Sequence, residues 1–244
     1  MVKEYIKSPE LSIVILCYKA GKLVIPFVEE LISNLKDNEI YDYELILVGN
    51  YKEDIYDETP EVVREIASNY PNISYVAKPK EGMMGWDMKT GFDLAGGQYI
   101  SVIDGDGQMP SIDLIRVYNK IKERDYDLVK TYRVKRNDGL MRKLISKVYN
   151  IVFQLLFPGT PTRDINSKPK ILTKHAYEQL TLESEDWFID AEIMLQASKL
   201  KFKIGEIETT FLALRSGRES FIGGSAIIEF IKNLIIYKYK ELFK

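Results

Sequence analysis

Short apolar runs alternate with amphipathic segments along the first half of the chain. Residues 11–18, 43–48 and 73–77 are rich in Val, Ile and Leu and have the length of buried β-strands. A polar loop and helical periodicity over residues 23–35 follow the first run, and a helix that begins near Pro60 follows the second. Repeated alternation of strand and helix is typical of α/β proteins. The pattern predicts a parallel or mostly parallel sheet with helices on both faces.

The next predicted strand, residues 98–103, ends in two carboxylates. Asp104 and Asp106 are separated by one glycine and followed by another, so the backbone can turn sharply where α/β sheets bind ligands. Carboxylates this close repel each other unless a cation joins them, and a hard divalent ion with oxygen ligands is the usual partner. Gln108 can add a carbonyl oxygen. An exposed Asp/Gly turn has the same pattern, so spacing alone leaves both interpretations open.

A basic cluster follows in the second half of the chain. A helix at residues 112–122 and a strand at 127–132 lead to it, and this strand is expected to lie near the Asp pair. The cluster consists of Lys130, Arg133, Lys135, Arg136, Arg142, Lys143 and Lys147. It could bind phosphate or form a solvated charged face. The following helix, residues 139–157, is apolar almost all round in its second half, which indicates either burial or contact with lipid.

A predicted helix at residues 185–200 has an acidic start. Asp190 shares its helical face with Trp187, Ile193 and Met194, so its carboxylate points where burial is expected. Buried carboxylates usually have a partner or a task, and both a catalytic role and a structural salt bridge are open for Asp190. Asp186 is the next candidate base, although acids at a helix start are also electrostatically ordinary.

Composition narrows the classes of function. The length of 244 residues fits one large α/β domain or two small ones, and the formal net charge of −2 gives no support for binding nucleic acid. The single cysteine, Cys17, excludes an internal disulfide and a cysteine-based zinc site, and the single histidine, His175, disfavours a histidine-rich metal site. No signal-peptide core and no apolar run near about 18 residues is present, so we expect a cytoplasmic protein.

Taken in order, the motifs resemble family 2 glycosyltransferases with the GT-A (Rossmann-like) fold. The resemblance is to the branch that includes dolichol-phosphate mannosyltransferase and other polyprenyl-phosphate glycosyltransferases, and it covers about residues 11–220. Residues 104–110 (D-G-D-G-Q-M-P) are similar to the family's D-x-D-x-Q-x-P, and residues 163–167 (R-D-I-N-S) to its R-D-x-x-S. Residues 82–91 resemble the glycine-bearing stretch before the metal motif, and Arg215 with Ser220 keeps the spacing of a late R-x-x-G-x-S.

The resemblance implies roles for specific residues. It implies that Mg²⁺ or Mn²⁺ is held by Asp104, Asp106 and Gln108. The implied donor site consists of Tyr18, Gly49, Asn50, Gly82, Asp87, Asp104 and Asp106. The implied acceptor or phosphate site consists of Arg133, Arg142, Lys143, Asn166, Ser167, Arg215 and Ser220. The candidate catalytic residues are Asp190, Asp186 and Arg133.

Several positions depart from the family pattern. Gly49-Asn50 stands where two acids usually grip the nucleotide, and Lys19-Ala20 replaces the Asn-Glu that usually follows Tyr18. On the acceptor side Lys168-Pro169 replaces the usual Gly-Phe, and Phe221 replaces a typical Lys. The nucleotide base and the acceptor are therefore open.

The end of the chain predicts an amphipathic helix. Residues 225–244 combine a broad apolar sector with four lysines, which is typical of a helix at a membrane interface, although a helix packed on the sheet or on a second subunit has the same pattern. We therefore divide the chain into a GT-A domain at residues 1–224 and a C-terminal amphipathic helix at 225–244. A homo-oligomer is compatible with this division.

The function expected from the sequence is inverting, metal-dependent transfer from a nucleotide-diphosphate sugar. The expected acceptor is a polyprenyl phosphate at the cytoplasmic face of a membrane, which the protein contacts without crossing it. A phosphate acceptor is already ionised near neutral pH and needs no base, whereas a sugar hydroxyl requires one. The alternatives are transfer to a hydroxyl, a nucleotidyltransferase or sugar-nucleotide binding module, and a catalytically silent protein that binds membranes or partners.

Overall fold

The computed structural model describes residues 8–123, 125–136, 140–213 and 231–239, without the side chains of 136, 140–143 and 145. The strands are β1 Leu11–Leu16, β2 Tyr43–Val48, β3 Ile73–Val76, β4 Tyr99–Asp104, β5 Leu128–Arg136, β6 Lys170–Thr173 and β7 Ile204–Phe211. The helices are α1 Val24–Asp37, α2 Thr59–Asn69, α3 Met84–Phe92, α4 Ile112–Glu123, α5 Leu140–Leu156, α6 Lys174–Glu178 and α7 Ile189–Lys199. A short 3-10 turn, Gly21–Leu23, precedes α1, and residues 231–239 are helical.

The strands form one seven-stranded sheet in the order β3-β2-β1-β4-β6-β5-β7. The first four strands are parallel, β6 runs antiparallel to both β4 and β5, and β5 is parallel to β7. The prediction of a mostly parallel α/β sheet is thus confirmed. The carboxyl ends of β1, β2 and β4 meet at one edge, which places the loops that follow them next to one another.

Helices cover both faces of the sheet, which explains why every residue of β1 except Ser12 is apolar. Successive side chains of a strand point to opposite faces, and every residue of β1 is buried. Ile13 and Ile15 join the core under α1, α2 and α4, whereas Val14 and Leu16 join the core that contains residues of α3, α5 and α7. A strand buried on both faces reads as a continuous apolar run, so it lacks the alternation of a half-exposed strand.

Two elements were not predicted, and one helix begins later than expected. Helix α6 and strand β7 lie in stretches without clear periodicity. The helix expected over residues 185–200 is α7, which begins only at Ile189. The expected division at residue 224 stays a prediction, because residues 214–230 lie outside the described part of the chain.

Candidate active site

The two acids of the D-G-D-G stretch lie at the carboxyl edge of the sheet. Asp104 is the last residue of β4 and is paired with Leu16 at the end of β1. The amide of Gly105 continues this pairing by donating to the carbonyl oxygen of Leu16 at 2.9 Å. A Cβ at Gly105 would lie 2.9 Å from Cγ2 of Ile15, so glycine allows this close passage over β1. The turn is therefore held against the ends of two adjacent strands.

The same turn positions Asp106 and Gln108. Gly107 has a φ of 72°, in the left-handed region, and the amide of Gln108 donates to Oδ1 of Asp106 at 3.0 Å. Gln108 is itself anchored to the segment after β7. Its carbonyl oxygen accepts from the amide of Leu212 at 2.9 Å, and its Nε2 donates to the carbonyl oxygen of Leu212 at 3.3 Å. Asp104 and Asp106 both stay partly exposed on this fixed loop.

A buried ion-pair network lies beside Asp104. Nζ of Lys168 is 3.4 Å from Oδ1 of Asp104 and 3.4 Å from Oδ2 of Asp190, separations of ion pairs rather than of close hydrogen bonds. The other oxygen of Asp190 is contacted by Lys170, whose Nζ also donates to the carbonyl oxygen of Ser167 at 3.0 Å. The side chains of Lys170 and Asp190 are 0% exposed, whereas that of Asp104 is 30% exposed. Lys168 therefore bridges the candidate metal ligand and the candidate base.

This network sets the charges of its members. Burial alone raises the pKa of Asp190, but the positive charges of Lys168 and Lys170 outweigh it and hold that pKa below its usual range. Burial opposes the charge of Lys168, yet Asp104 and Asp190 raise its pKa. Burial lowers the pKa of Lys170 to about 8, with Asp190 opposing and the neighbouring lysines assisting. At neutral pH Asp190 is therefore ionised, and Lys168 and Lys170 are ammonium groups.

Arg133 and the R-D-I-N-S motif, far apart in sequence, are joined. The guanidinium of Arg133 donates from Nε to Oδ2 of Asp164 at 2.6 Å and from Nη2 to Oδ1 at 2.7 Å, and it lies 5.4 Å from the ring centroid of Phe211. Burial alone raises the pKa of Asp164, but Arg133 and Lys130 hold it well below its usual range. Asp164 therefore fixes the orientation of Arg133.

The remaining residues of the motif face β5 and the buried interior. The hydroxyls of Ser167 and Thr131 lie 2.7 Å apart, and Oγ1 of Thr131 donates to the carbonyl oxygen of Lys168 at 2.6 Å. Oδ1 of Asn166 is buried and has no hydrogen-bond partner among the residues that the structure describes. An amide oxygen accepts hydrogen bonds, so this atom suits a hydroxyl or N–H group rather than a phosphate oxygen.

A second connected group lies at the ends of β1 and β2. Nδ2 of Asn50 donates to Oδ1 of Asp87 at 2.9 Å, and its Oδ1 accepts from the amide of Lys78 at 2.9 Å. Asp87 on α3 also contacts Nζ of Lys80, which lies 4.3 Å from the ring centroid of Tyr18. Burial raises the pKa of Asp87 and lowers that of Lys80. Three of the expected donor-site residues are thus connected: Asn50 bonds to Asp87, and Lys80 joins Asp87 to Tyr18.

The two glycines expected at the donor site are close-packed. A Cβ at Gly49 would lie 2.7 Å from Cγ2 of Val63 on α2. A Cβ at Gly82 would lie 2.7 Å from Cβ of Trp86 and 3.0 Å from the carbonyl oxygen of Glu185. Both positions therefore require glycine for packing within the fold, whatever they contact in a bound donor.

Asp186 lies in the loop before α7. Its Oδ1 accepts from the amide of Phe188 at 2.7 Å, and its Oδ2 accepts from Nδ2 of Asn233 at 2.6 Å. Its carbonyl oxygen accepts from the amide of Gly85 at the start of α3 at 3.0 Å. The carboxylate closes a turn onto Phe188, which explains why the predicted helix begins only after that residue. Asp186 thereby joins α3, α7 and residues 231–239.

The basic cluster is divided between the interior and the surface. Lys130 is buried, and its Nζ donates to the carbonyl oxygen of Thr131 at 2.8 Å and lies 3.3 Å from Oε1 of Glu206. Lys135 and Lys147 are exposed. The structure does not describe the side chains of Arg136, Arg142 and Lys143, nor any part of Arg215 and Ser220.

The described residues contain no group of three or more His, Cys, Asp and Glu side chains that could hold a metal ion by themselves. The donor set itself suits Mg²⁺ or Mn²⁺, since Asp104 and Asp106 supply carboxylate oxygens. Because Nε2 of Gln108 is engaged with Leu212, its amide oxygen is the atom left for a metal.

Helix α5 exposes an apolar stripe, defined as Leu144, Val148, Ile151 and Leu155. Their spacing of four, three and four residues puts them on one face of the helix, and they are 58%, 46%, 50% and 76% exposed. The opposite face packs into the core through Phe153. None of the described helices has the length and apolar character that a membrane crossing needs.

Residues 231–239 pack beside the end of α5. Leu234 is buried, and the ring of Tyr237 lies 6.0 Å from that of Phe157. On the other side of this short helix Ile235 and Tyr239 are exposed. The described part of the predicted C-terminal helix therefore packs on the domain with one face and presents further apolar side chains with the other.

Sequence reasoning missed the lysines that balance the carboxylates. Lys170 lies in the short apolar strand β6 and Lys80 in a polar loop, and both side chains are buried. Lys170 could have been recognised, because it directly precedes the apolar pair Ile171-Leu172 of a predicted buried strand. A lysine in such a strand needs a charged partner, since long charged side chains are almost never fully buried without one. No local signal identifies Lys80.

Comparison with known proteins identifies the family. The family model described as Glycosyl transferase family 2 matches residues 12–183. The Bacillus subtilis protein described as "Putative glycosyltransferase CsbB" is 27% identical over 143 residues, which are 59% of this chain and 42% of CsbB. A dolichyl-phosphate beta-glucosyltransferase of Trichomonas vaginalis is 24% identical over 228 residues, 87% of this chain and 68% of that protein.

A further curated relative and the solved structures complete the comparison. The undecaprenyl-phosphate 4-deoxy-4-formamido-L-arabinose transferase of Photorhabdus laumondii is 33% identical over 111 residues, 45% of this chain. The chain spans 68% of the length of the Trichomonas vaginalis protein and 33% of the length of the Photorhabdus laumondii protein. Glucosyl-3-phosphoglycerate synthase from Mycobacterium tuberculosis, solved with UDP, has a TM-score of 0.69 at 16% identity, over 94% of this chain and 80% of that one. The same synthase has also been solved with Mg²⁺ and UDP. With most of its length matched by the family model, the chain belongs to glycosyl transferase family 2 and has the GT-A fold.

Proposed function

We propose that this glycosyltransferase transfers a sugar from a nucleotide-diphosphate donor to a lipid phosphate, with inversion at the sugar carbon. The observation that carries the proposal is the state of Asp190. Its carboxylate is buried, ion-paired to Lys168 and Lys170, and its pKa is below the usual range. A carboxylate held in this way is a weak proton acceptor. This favours an acceptor that brings an already ionised nucleophile, and a phosphate monoester does so at neutral pH.

The named relatives support this choice of acceptor. Two of them are a dolichyl-phosphate glucosyltransferase and an undecaprenyl-phosphate transferase, which are lipid-phosphate enzymes by name. The chain matches only 68% and 33% of the length of these two proteins, at 24% and 33% identity. Their acceptors are therefore proposed for this chain and not transferred to it. Arg133, oriented by Asp164, is the described cation that we assign to the acceptor phosphate, together with Arg142, Lys143 and Arg215.

Asp104, Asp106 and Gln108 are the residues that we assign to Mg²⁺ or Mn²⁺. When bound, such an ion neutralises the charge that develops on the leaving diphosphate. The protein's own part is to hold the two carboxylates at the end of β4 on a turn fixed by Gly105 and Leu212. The nucleoside is then expected over the ends of β1 and β2, beside Tyr18 and Asn50.

The apolar stripe of α5 is where we expect the enzyme to contact a membrane. A lipid acceptor keeps its tail in the bilayer, so the enzyme must approach the headgroup plane. Leu144, Val148, Ile151 and Leu155 offer apolar side chains, and exposed Lys147 on the same side of the helix adds a positive charge for anionic lipid. The exposed residues Ile235 and Tyr239 lie on the helix packed against the end of α5.

The acceptor assignment is tested with a matched pair of acceptors. The enzyme is incubated with Mn²⁺, a nucleotide-diphosphate sugar and either a polyprenyl phosphate or the corresponding polyprenol, and released nucleoside diphosphate is measured. We expect release with the phosphate and only background release with the alcohol. Equal turnover of the two acceptors contradicts the proposal, because the alcohol needs a base that Asp190 does not supply.

The membrane contact is tested by flotation with phosphatidylcholine vesicles that contain or lack phosphatidylglycerol. We expect the protein to float with the anionic vesicles at low salt, and the double variant Ile151→Ser/Leu155→Ser to remain at the bottom of the gradient. Leu94→Ser is the control, since Leu94 is 49% exposed and lies outside the stripe, between α3 and β4. Unchanged flotation of the double variant excludes this face as the contact.

A further inference from the structure

Lys168 is a buried ammonium group in contact with the carboxylate assigned to the metal. Its Nζ lies 3.4 Å from Oδ1 and 3.5 Å from Oδ2 of Asp104, so it faces both oxygens of that carboxylate. Asp190 lies 3.4 Å away, and Sδ of Met84 3.2 Å away. The side chain of Lys168 is 3% exposed, so it cannot turn into solvent without displacing its neighbours. This lysine also stands at a position where the chain departs from the family pattern.

We propose that Lys168 is an internal counter-cation of Asp104, which weakens binding of a free divalent ion there and favours arrival of the ion together with a nucleoside diphosphate. This inference rests on the proposed function. A fixed positive charge repels a second cation at the same carboxylate and attracts an anion beside it. Both effects persist at ordinary salt concentrations because the group is buried and its partners lie within one Debye length.

The charge argument predicts changes of opposite sign when Lys168 is neutralised. Mn²⁺ alone should bind more tightly, because the repulsion is removed. UDP alone should bind less tightly, because Asp104 then faces the diphosphate without its counter-charge. Mn²⁺ and UDP together should change little, since the two effects oppose each other. A residue needed only for packing should instead weaken all three.

The experiment is titration calorimetry of the full chain with Mn²⁺ alone, UDP alone and the two together. Lys168→Met keeps the length and apolar stem of the side chain next to Met84. We expect Mn²⁺ to bind this variant about tenfold more tightly and metal-free UDP several-fold more weakly, where tenfold corresponds to about 1.4 kcal/mol. Lys168→Gln, which offers a neutral hydrogen-bond donor near Asp190, should shift both affinities in the same directions and serves if Lys168→Met does not fold.

The matched control is Lys122→Met, which removes one positive charge from the opposite edge of the sheet, where Lys122 pairs with Glu10 at 2.7 Å. It should leave all three affinities unchanged. The inference is overturned if neutral variants of Lys168 that fold bind Mn²⁺ no more tightly than the unmodified chain does. If UDP does not bind, the titrations use the nucleoside diphosphate that does. If the unmodified chain binds none of the common nucleoside diphosphates in the presence of Mn²⁺, the proposed function fails instead, so the two failures are distinguishable.

Discussion

The turn after β4 and the start of α7 both present an aspartate, yet the two carboxylates lie in opposite environments. Asp106 is partly exposed on a glycine-rich turn, and its Oδ1 accepts from the backbone amide of Gln108. Asp190 is completely buried and has a lysine at each oxygen. The first arrangement keeps a carboxylate in contact with solvent, and the second surrounds a carboxylate with counter-charges inside the protein. Exposure and partners, not residue type, therefore suggest which acid can serve the reaction.

The largest effect expected is on stability, from Asp190→Asn. Removing this charge leaves Lys170 buried without its carboxylate and Lys168 with Asp104 alone. Breaking a buried ion pair on one side costs about 3–5 kcal/mol, so the free energy of unfolding should fall by that amount in urea titrations. Asp125→Asn, at an exposed aspartate, is the control and should change stability by less than about 0.5 kcal/mol.

The same variant also tests whether Asp190 is a base. Loss of a general base lowers kcat by about 10²–10⁴-fold with little change in stability. If Asp190→Asn is as stable as the unmodified chain but loses kcat on that scale, the buried acid is catalytic. The proposed lipid-phosphate acceptor then loses its main support.

Asp106→Asn should have the contrasting effect, on ligand binding and turnover rather than on stability. An amide supplies only a weak dipole where a metal needs an anionic oxygen, so metal-dependent donor binding should be lost. Turnover should fall by about 10²-fold or more, the scale on which removal of one preorganised electrostatic group acts. The free energy of unfolding should change by less than about 0.5 kcal/mol, because the carboxylate is partly exposed. Asp37→Asn, in the last turn of α1, is the matched control for both measurements.

Normal turnover with unchanged dependence on Mn²⁺ would remove Asp106 from the metal site. A large loss of stability would show that its bond to Gln108 is structural. In either case the contrast between the two aspartates would no longer hold.

The fold could be predicted where apolar runs are continuous. β1 and β2 are buried on both faces, so their sequences carry a signal that needs no knowledge of neighbouring strands. The antiparallel direction of β6 is set by its pairing with β4 and β5, which no local pattern records. Strand β7 mixes Gly205 and acidic residues with its apolar positions, because it lies at the edge of the sheet and is only partly buried.

The candidate site also has features that the sequence predicts and features that it does not. The position of Asp104 follows from local logic, because a strand end in an α/β sheet faces the ligand crevice. The burial of Asp190 also follows from its helical face and is confirmed. Its pairing with Lys168 and Lys170 does not, since these partners lie in a separate segment and meet Asp190 only in the tertiary structure. Tertiary contacts determine which buried charges pair with each other, so sequence periodicity cannot predict these pairs.

The smallest effect expected is from Lys122→Met, at an ion pair of ordinary surface type. Lys122 lies 2.7 Å from Oε1 of Glu10, and both side chains are partly exposed, so the free energy of unfolding at pH 7 should fall by only about 0.2–1 kcal/mol. The hydrogen bond and charge of Lys122 lower the pKa of Glu10 from 4.5. A carboxyl whose pKa is lowered by folding stabilises the protein above its unfolded pKa and loses that contribution as the pH falls through the folded value. The difference between the two proteins in urea titrations should therefore be present at pH 7 and shrink as the pH falls below about 4.5. A difference that is large, or that persists in acid, would mean that this pair resembles the buried network around Asp190 rather than an exposed surface pair.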